Sequence, residues 1–482
     1  MLRGLLLAAA CSLIAPGKPC EVCHPAETAA YRKTGMGRSI RPAEEAPPPG
    51  SVTHSFSGAR FRLRGGRQRV EWKGLDADYE VAWWMGSGRH ATGAIVRLGP
   101  HLAQSPVTWY SARAAWDMAP GYERHPIPDF NRVLTAECLA CHTNAGGDRL
   151  EPIGCERCHG GAAAHEASPS RQNIVNPARL PERERAAVCE QCHLSGEIRV
   201  RNPGVAWTAF QPGRPLEDFW TVFLAQGGGF KVVSHAEQLA RSPCASRSGG
   251  RLWCGSCHSP HRSVDQRAVC RSCHVQDHEG SAGDCAACHM PKRKSWDSGH
   301  AAFTDHRIRR AAEDEPPDGR SIRDLAAWRQ PGGALAIRNL GIARILAGER
   351  DRNLDLIEQG YRILTRWPGD PARDAEVSAA IGFALTLKGR HGEAERLLRR
   401  AVELEPGNGS YRLKLATAWR NAGESRAAAQ VLNEAIAADP WNEPAYHFLA
   451  GIEGSPALAR YVRLHPRGFA AREALRRVRP ER

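Results

Sequence analysis

The sequence predicts a multidomain chain. A front half of short helices and irregular segments is assembled around a repeated cysteine–histidine motif and interrupted by a small antiparallel β subdomain; an α-solenoid follows it. Three observations predict this. Seven Cys-x-x-Cys-His motifs fall between residues 20 and 289. From Phe56 to Tyr110 apolar and polar residues alternate with a period of two. Beyond residue 380, small and apolar residues recur at an offset of 34.

The motifs are Cys20/Cys23/His24, Cys138/Cys141/His142, Cys155/Cys158/His159, Cys189/Cys192/His193, Cys254/Cys257/His258, Cys270/Cys273/His274 and Cys285/Cys288/His289, and they use fourteen of the sixteen cysteines. Two thiols three positions apart can add to the two vinyl groups on one edge of a porphyrin, and the adjoining His then stands under the iron as proximal ligand. Paired Cys-x-x-Cys units can also form a zinc ribbon, but zinc does not require His directly after the second Cys of every pair. Seven covalently bound c-type haems are therefore expected. Porphyrin faces then take the place of much of the apolar core of the front half, which is not expected to fold without them.

At 482 residues, with 42% hydrophobic and 24% charged residues, the chain has the size of two or three domains of ordinary soluble composition. A formal charge of +14 by itself suggests nucleic acid or an anionic membrane as partner. Haem alters that inference, because seven haems bring about fourteen propionate carboxylates that offset the basic excess. No nucleic-acid motif is present, and no nucleic-acid partner is expected. Met1-Leu2-Arg3, followed by the apolar run Gly4 to Ala10, has the form of an export signal, assigned to residues 1–15. A periplasmic or otherwise exported location suits thioether attachment. Cys11 after three alanines resembles a lipoprotein cleavage site without its usual Leu, so signal removal is preferred over a lipid anchor there. No apolar run of about eighteen residues occurs elsewhere, so no transmembrane segment is expected in the mature chain.

The multihaem module is assigned to residues 16–310. After the first motif, Met36 in a Gly-Met-Gly turn is either an iron ligand or a packed side chain. In the β insertion, about 51–112, Phe61, Leu63, Val70 and Trp72 flank Gly65-Gly66 as a hairpin would. Its His54 and His90 are, taken alone, more often packed or surface residues than ligands. His165 follows Cys158-His159 within a turn or two of helix and is expected to reach a neighbouring iron. A short helix, Glu182 to Val188, leads into the fourth motif, and 194–253 is expected to be loop-rich. Cys244 has no nearby partner and is expected to be a buried free thiol. The last three motifs are interleaved with His261, His278, His300 and His306, which can supply sixth ligands at close range. The acidic, Pro/Gly-rich stretch 311–333 reads as a linker. In 334–482, Gly382, Gly389, Ala394, Leu398, Ala401 and Pro406 recur as Ala416, Gly423, Ala428, Leu432, Ala435 and Pro440, the tetratricopeptide period. Three or four helical hairpins are expected. They would serve for protein docking or as a structural cap, docking being preferred.

With these segments the chain resembles a family of exported multihaem cytochromes c with C-terminal tetratricopeptide repeats, more distantly related to the tetrahaem carrier of ammonia oxidation. The resemblance rests on Thr-Gly-Met-Gly-Arg-Ser, Gly-Ser-Gly-x-His, Cys-x-Arg-Cys-His-Gly-x-x-x-x-His, Asn-Pro-Ala-Arg-Leu, Gln-Cys-His-Leu, Ser-Pro-Cys-x-x-Ser, Cys-His-x-Pro-His, Cys-His-Met-Pro-Lys-Arg and Thr-Asp-His-x-Ile. It implies distal ligation by His54, His90, His165, His261, His278, His300 and His306, while His101, His125 and His235 are also available. Gly161 and Ser259 depart from the family's usual Pro and Asp without removing a ligand.

Two His ligands on every iron leave no coordination position for a substrate, so the expected function is electron transfer between redox partner proteins. The rival is a multihaem oxidoreductase acting on a small nitrogen or sulfur compound at one open haem. Some such enzymes mark that haem with Lys in place of the motif His; all seven motifs here end in His.

Overall fold

The computed structural model describes residues 20–126, 128–144, 150–225, 229–274, 284–295, 297–310, 322, 324–465 and 468–478. The expected export signal, Cys11, His278 and most of the 311–333 stretch lie outside them.

The first structural unit is an antiparallel sheet of nine strands: β1 (Ile40–Pro42), β2 (Gly50–Thr53), β3 (Arg60–Arg64), β4 (Arg67–Trp72), β5 (Leu75–Met85), β6 (Ala91–Leu98), β7 (His101–Tyr110), β8 (Ala115–Met118) and β9 (Arg132–Val133). Strands β2 to β8 follow one another in order, β1 pairs with β5, and β9 pairs with β7. The β3–β4 hairpin closes through Gly65 and Gly66, both at positive φ, with Arg64 opposite Arg67. Two left-handed residues are what a two-residue turn matched to strand twist requires. Alternation then buries Phe61, Leu63, Val70 and Trp72 on one face. The β unit runs from residue 40 to 133, wider than the expected 51–112, because β1, β8 and β9 are short edge segments without a strong period of their own.

The span expected to be loop-rich contains a hairpin, β10 (Ile198–Arg201) and β11 (Trp220–Ala225). A second hairpin, β12 (Lys292–Ser295) and β13 (Ser298–Thr304), follows the last motif. The end of the expected linker is strand β14 (Leu325–Ala327), which pairs with β11 and buries Leu325 beside Phe223 and Val200. Its composition is that of a linker, but its partner lies a hundred residues upstream.

The C-terminal part is a run of antiparallel helices, Gly333–Asp351, Leu354–Leu364, Ala375–Leu387, His391–Leu404, Gly409–Asn421, Ser425–Ala438, Glu443–Glu453, Ser455–Leu464 and Phe469–Val478. A Cβ at Gly382 would lie 2.6 Å from Leu398 Cγ, so the paired helices can approach this closely only over a residue without a side chain. Gly389 and Gly423 sit in matching inter-helix turns at φ +73° and +87°, the left-handed conformation that ends helices.

The array is tied to the rest of the chain at both ends. At its start Arg338, 2% exposed, forms a bidentate pair with Asp374 (2.5 and 2.9 Å) and donates to the Arg201 carbonyl (2.8 Å). Asn339 donates to Asn202 and Thr221 at 3.1 and 2.9 Å. Asp374 also caps the helix Ala375–Leu387 by accepting from the Val377 amide. At its far end His101 of β7 meets Asp439 at 3.0 Å, and Lys73 meets Glu473 at 2.9 Å.

Candidate functional site

Each motif with described residues throughout sits on a helical turn or at its end, where positions i, i+3 and i+4 share one face. Both thiols and the following imidazole are thereby turned the same way by local geometry. The variable positions inside the motifs join one motif to the next. Arg157 in the third motif donates to the Ala140 carbonyl in the second (2.7 Å), and Gln191 in the fourth donates to the Arg157 carbonyl (3.0 Å). All three side chains are buried. Tyr31, beyond the first motif, donates to the Ile153 carbonyl just before the third (2.7 Å), and Gln266 donates to the Cys257 carbonyl of the fifth (2.8 Å).

These ties gather the motifs around one cavity of about 4560 Å³. All fourteen motif cysteines and all seven motif histidines line it. Divided among seven motifs it gives about 650 Å³ each, within the roughly 300–1,000 Å³ of single cofactor and ligand sites. No two described cysteines form a disulfide. Sulfurs of different motifs meet within hydrogen-bond reach: Cys20 with Cys155, Cys141 with Cys192, Cys189 with Cys254 and Cys270 with Cys285. The hydrogen bond from Cys192, helped by Arg199, holds the Cys141 thiol below its ordinary pKa against the effect of burial.

The histidines are oriented as ligands need to be. Nδ1 of His159 lies 2.7 Å from the Val175 carbonyl, and Nδ1 of His289 lies 2.7 Å from the Arg309 carbonyl. A carbonyl only accepts, so Nδ1 carries the proton and Nε2 keeps its lone pair for a metal. His306 is held in the same way by the Thr304 carbonyl at 2.9 Å. Motif and non-motif rings face each other in pairs: His24 with His165 at 6.3 Å and 17°, His159 with His261 at 5.9 Å and 11°, and His258 with His306 at 6.2 Å and 37°. Two imidazoles that each reach one metal at about 2 Å have ring centres about 6 Å apart.

Of the expected distal histidines, His90, His165, His261 and His306 line the cavity. His54 and His300 do not line it. His54 is 1% exposed, with Nε2 donating to the Glu123 carbonyl (3.0 Å) and Nδ1 on Ser57 Oγ (2.8 Å), so neither nitrogen keeps a lone pair for a metal. His300 packs on Tyr110, with Nδ1 3.0 Å from Arg113 and 3.4 Å from Asp117. His235, which the sequence offered only as a further available histidine beside His101 and His125, does line the cavity. Its only sequence signal is a Ser-His at a helix start, which marks many histidines that ligate nothing. Met36 and Cys244 are also on the wall.

The donor set fits haem. The described wall carries twelve Lys and Arg against six Asp and Glu, a surplus suited to propionates. No group of three or more His, Cys, Asp or Glu among the described residues is spaced to hold a bare ion. A haem iron, held by porphyrin nitrogens and two axial ligands, needs none.

The tetratricopeptide repeat family model matches residues 385–452. This segment is tetratricopeptide-like. Over 25% of its length the chain is similar to the second TPR domain of human RPAP3, at 20% identity, 98% coverage of that chain and a TM-score of 0.22. Over 29% it is similar to MamA, at 19% identity, 88% coverage and a TM-score of 0.23. No curated protein matches the chain. Among the described residues no helix is long and apolar enough to cross a membrane.

Proposed function

We propose that this chain is an exported heptahaem c-type cytochrome that carries electrons between redox partner proteins, with the repeat array serving for protein docking. The observation that carries the reading is the single cavity onto which all seven motifs open. Bound haem supplies reversible one-electron chemistry at an iron whose potential its surroundings set. The chain's own residues fix the rest. Paired thiols hold each porphyrin edge, and carbonyls at Val175, Arg309 and Thr304 orient imidazoles so that Nε2 faces the cavity. The Ala140–Arg157–Gln191 bonds keep the second, third and fourth motifs in contact, which favours the short separations that electron transfer between neighbouring sites requires. The excess of Arg and Lys along the wall offsets propionate charge. The repeat array contributes by stacking, which leaves an extended surface for a partner protein.

Low-temperature paramagnetic resonance of the oxidised, haem-loaded protein, with total haem quantified on the same sample, tests this. Seven low-spin haems per chain are expected. One high-spin haem per chain would mean an open iron and favour a multihaem oxidoreductase over a carrier.

A further inference from the structure

A cluster of four imidazoles stands where the fourth and fifth motifs meet: the motif residues His193 and His258, and the non-motif residues His235 and His306. Ring centres are 5.3 Å apart for His193 and His235, 4.8 Å for His235 and His306, and 6.2 Å for His258 and His306. Two motif histidines imply two irons here, and two irons need two further ligands.

One division of the four rings follows from the hydrogen bonding and the spacing of His258 and His306. The Thr304 carbonyl fixes Nδ1 of His306, so that ring has one nitrogen to give. It faces His258 at a spacing an iron between them would set. His235 is left for His193, to which its ring lies nearly perpendicular, at 89°. Perpendicular planes do not prevent two imidazoles from ligating opposite sides of one metal. Nδ1 of His235 is shielded from solvent and has no hydrogen-bond partner. A buried polar atom left without a partner is unfavourable, and a metal reached by the ring would relieve it. The ring is placed by structure that is itself buried: Ser234 donates to the Lys231 carbonyl (2.8 Å), Gln238 in the same helix turns back on Ser234, and the His306 amide donates to Gln238 (2.7 Å). The last of these bonds ties the positions of His235 and His306 together.

We propose that His235 is the distal axial ligand of the haem attached at Cys189 and Cys192, opposite His193. The inference rests on the haem reading above and adds a residue to it. The helix His235–Ala240 thereby belongs to the haem module, and the ligand comes from a segment outside every motif.

The test uses the full-length exported chain in three forms: unchanged, His235→Ala and His235→Met. Haem per chain is measured first, because attachment depends on the cysteines and is expected to be seven in all three. In His235→Ala one low-spin haem per chain should become high-spin, and added imidazole should restore it. In His235→Met the same haem should remain low-spin and gain the near-infrared absorption of a thioether on iron. An unchanged spin count in His235→Ala, with seven haems present, would overturn the assignment while leaving the haem reading intact. Absence of covalent haem from the unchanged chain would overturn the haem reading itself. Should His235→Ala not accumulate, the His235→Met spectrum decides alone, since a thioether band appears only if position 235 reaches iron. His101→Ala, on the Asp439 contact away from the cavity, should leave every spin count as it was.

Discussion

Residues 333–478 and residues 231–310 differ in what their side chains are buried against. The first region is a run of helices whose Ile345, Leu356, Leu398, Leu415, Leu432 and Leu449 pack into one another, forming an apolar core that the chain supplies itself. The second holds the last three motifs, and among its described residues no apolar side chain is fully buried. Its helices are one or two turns long, far below the length at which a helix persists alone in water. What the segment faces is the cavity. One region is therefore specified by side chains meeting side chains; on the proposed function, the other is specified by side chains meeting haem.

Blocking haem attachment should separate the two regions most sharply. Amide hydrogens between 231 and 310 are expected to lose all protection in hydrogen exchange, while the helices from Ala375 to Ala438 keep theirs. Equal protection in both would break the comparison. At the boundary, Arg338→Ala removes the partner of a buried carboxylate at Asp374 and should cost about 3–5 kcal/mol, read by denaturant unfolding of the repeat array. Within the array, Leu398→Ala should cost about 2–5 kcal/mol without altering haem content, which sharpens the claim that the array's core is independent of the cofactor. Lys73→Ala removes a half-exposed ion pair with Glu473 and should change stability by less than about 1 kcal/mol.

What could be read from the sequence follows the same division. Each motif is written into five consecutive residues, so the cysteines and histidines that line the cavity were legible before any fold. The Gly65-Gly66 turn was legible because a left-handed backbone favours glycine locally, while Gly389 and Gly423 were legible as a repeated position and only the structure shows them as turns. Strand β14 was not, since Leu325–Ala327 becomes a strand only by pairing with Trp220–Ala225. Nor was the fate of His54: the carbonyl that takes its proton belongs to Glu123, sixty-nine positions away. His235 could not be told from His101 and His125 for the same reason, because what distinguishes it is its proximity to His193 and His306. The two-ended attachment of the array, through Arg338 and through Asp439 and Glu473, likewise joins residues that are remote in sequence. Local chemistry was therefore visible and its spatial pairing was not.

The central claim is that the fourteen motif cysteines hold seven haems in one cavity. Its most direct test is the intact mass of the exported chain under denaturing conditions, where only covalent additions survive. The account predicts the polypeptide mass plus that of seven haems. A chain at its bare polypeptide mass, or one that releases zinc on denaturation, would contradict it.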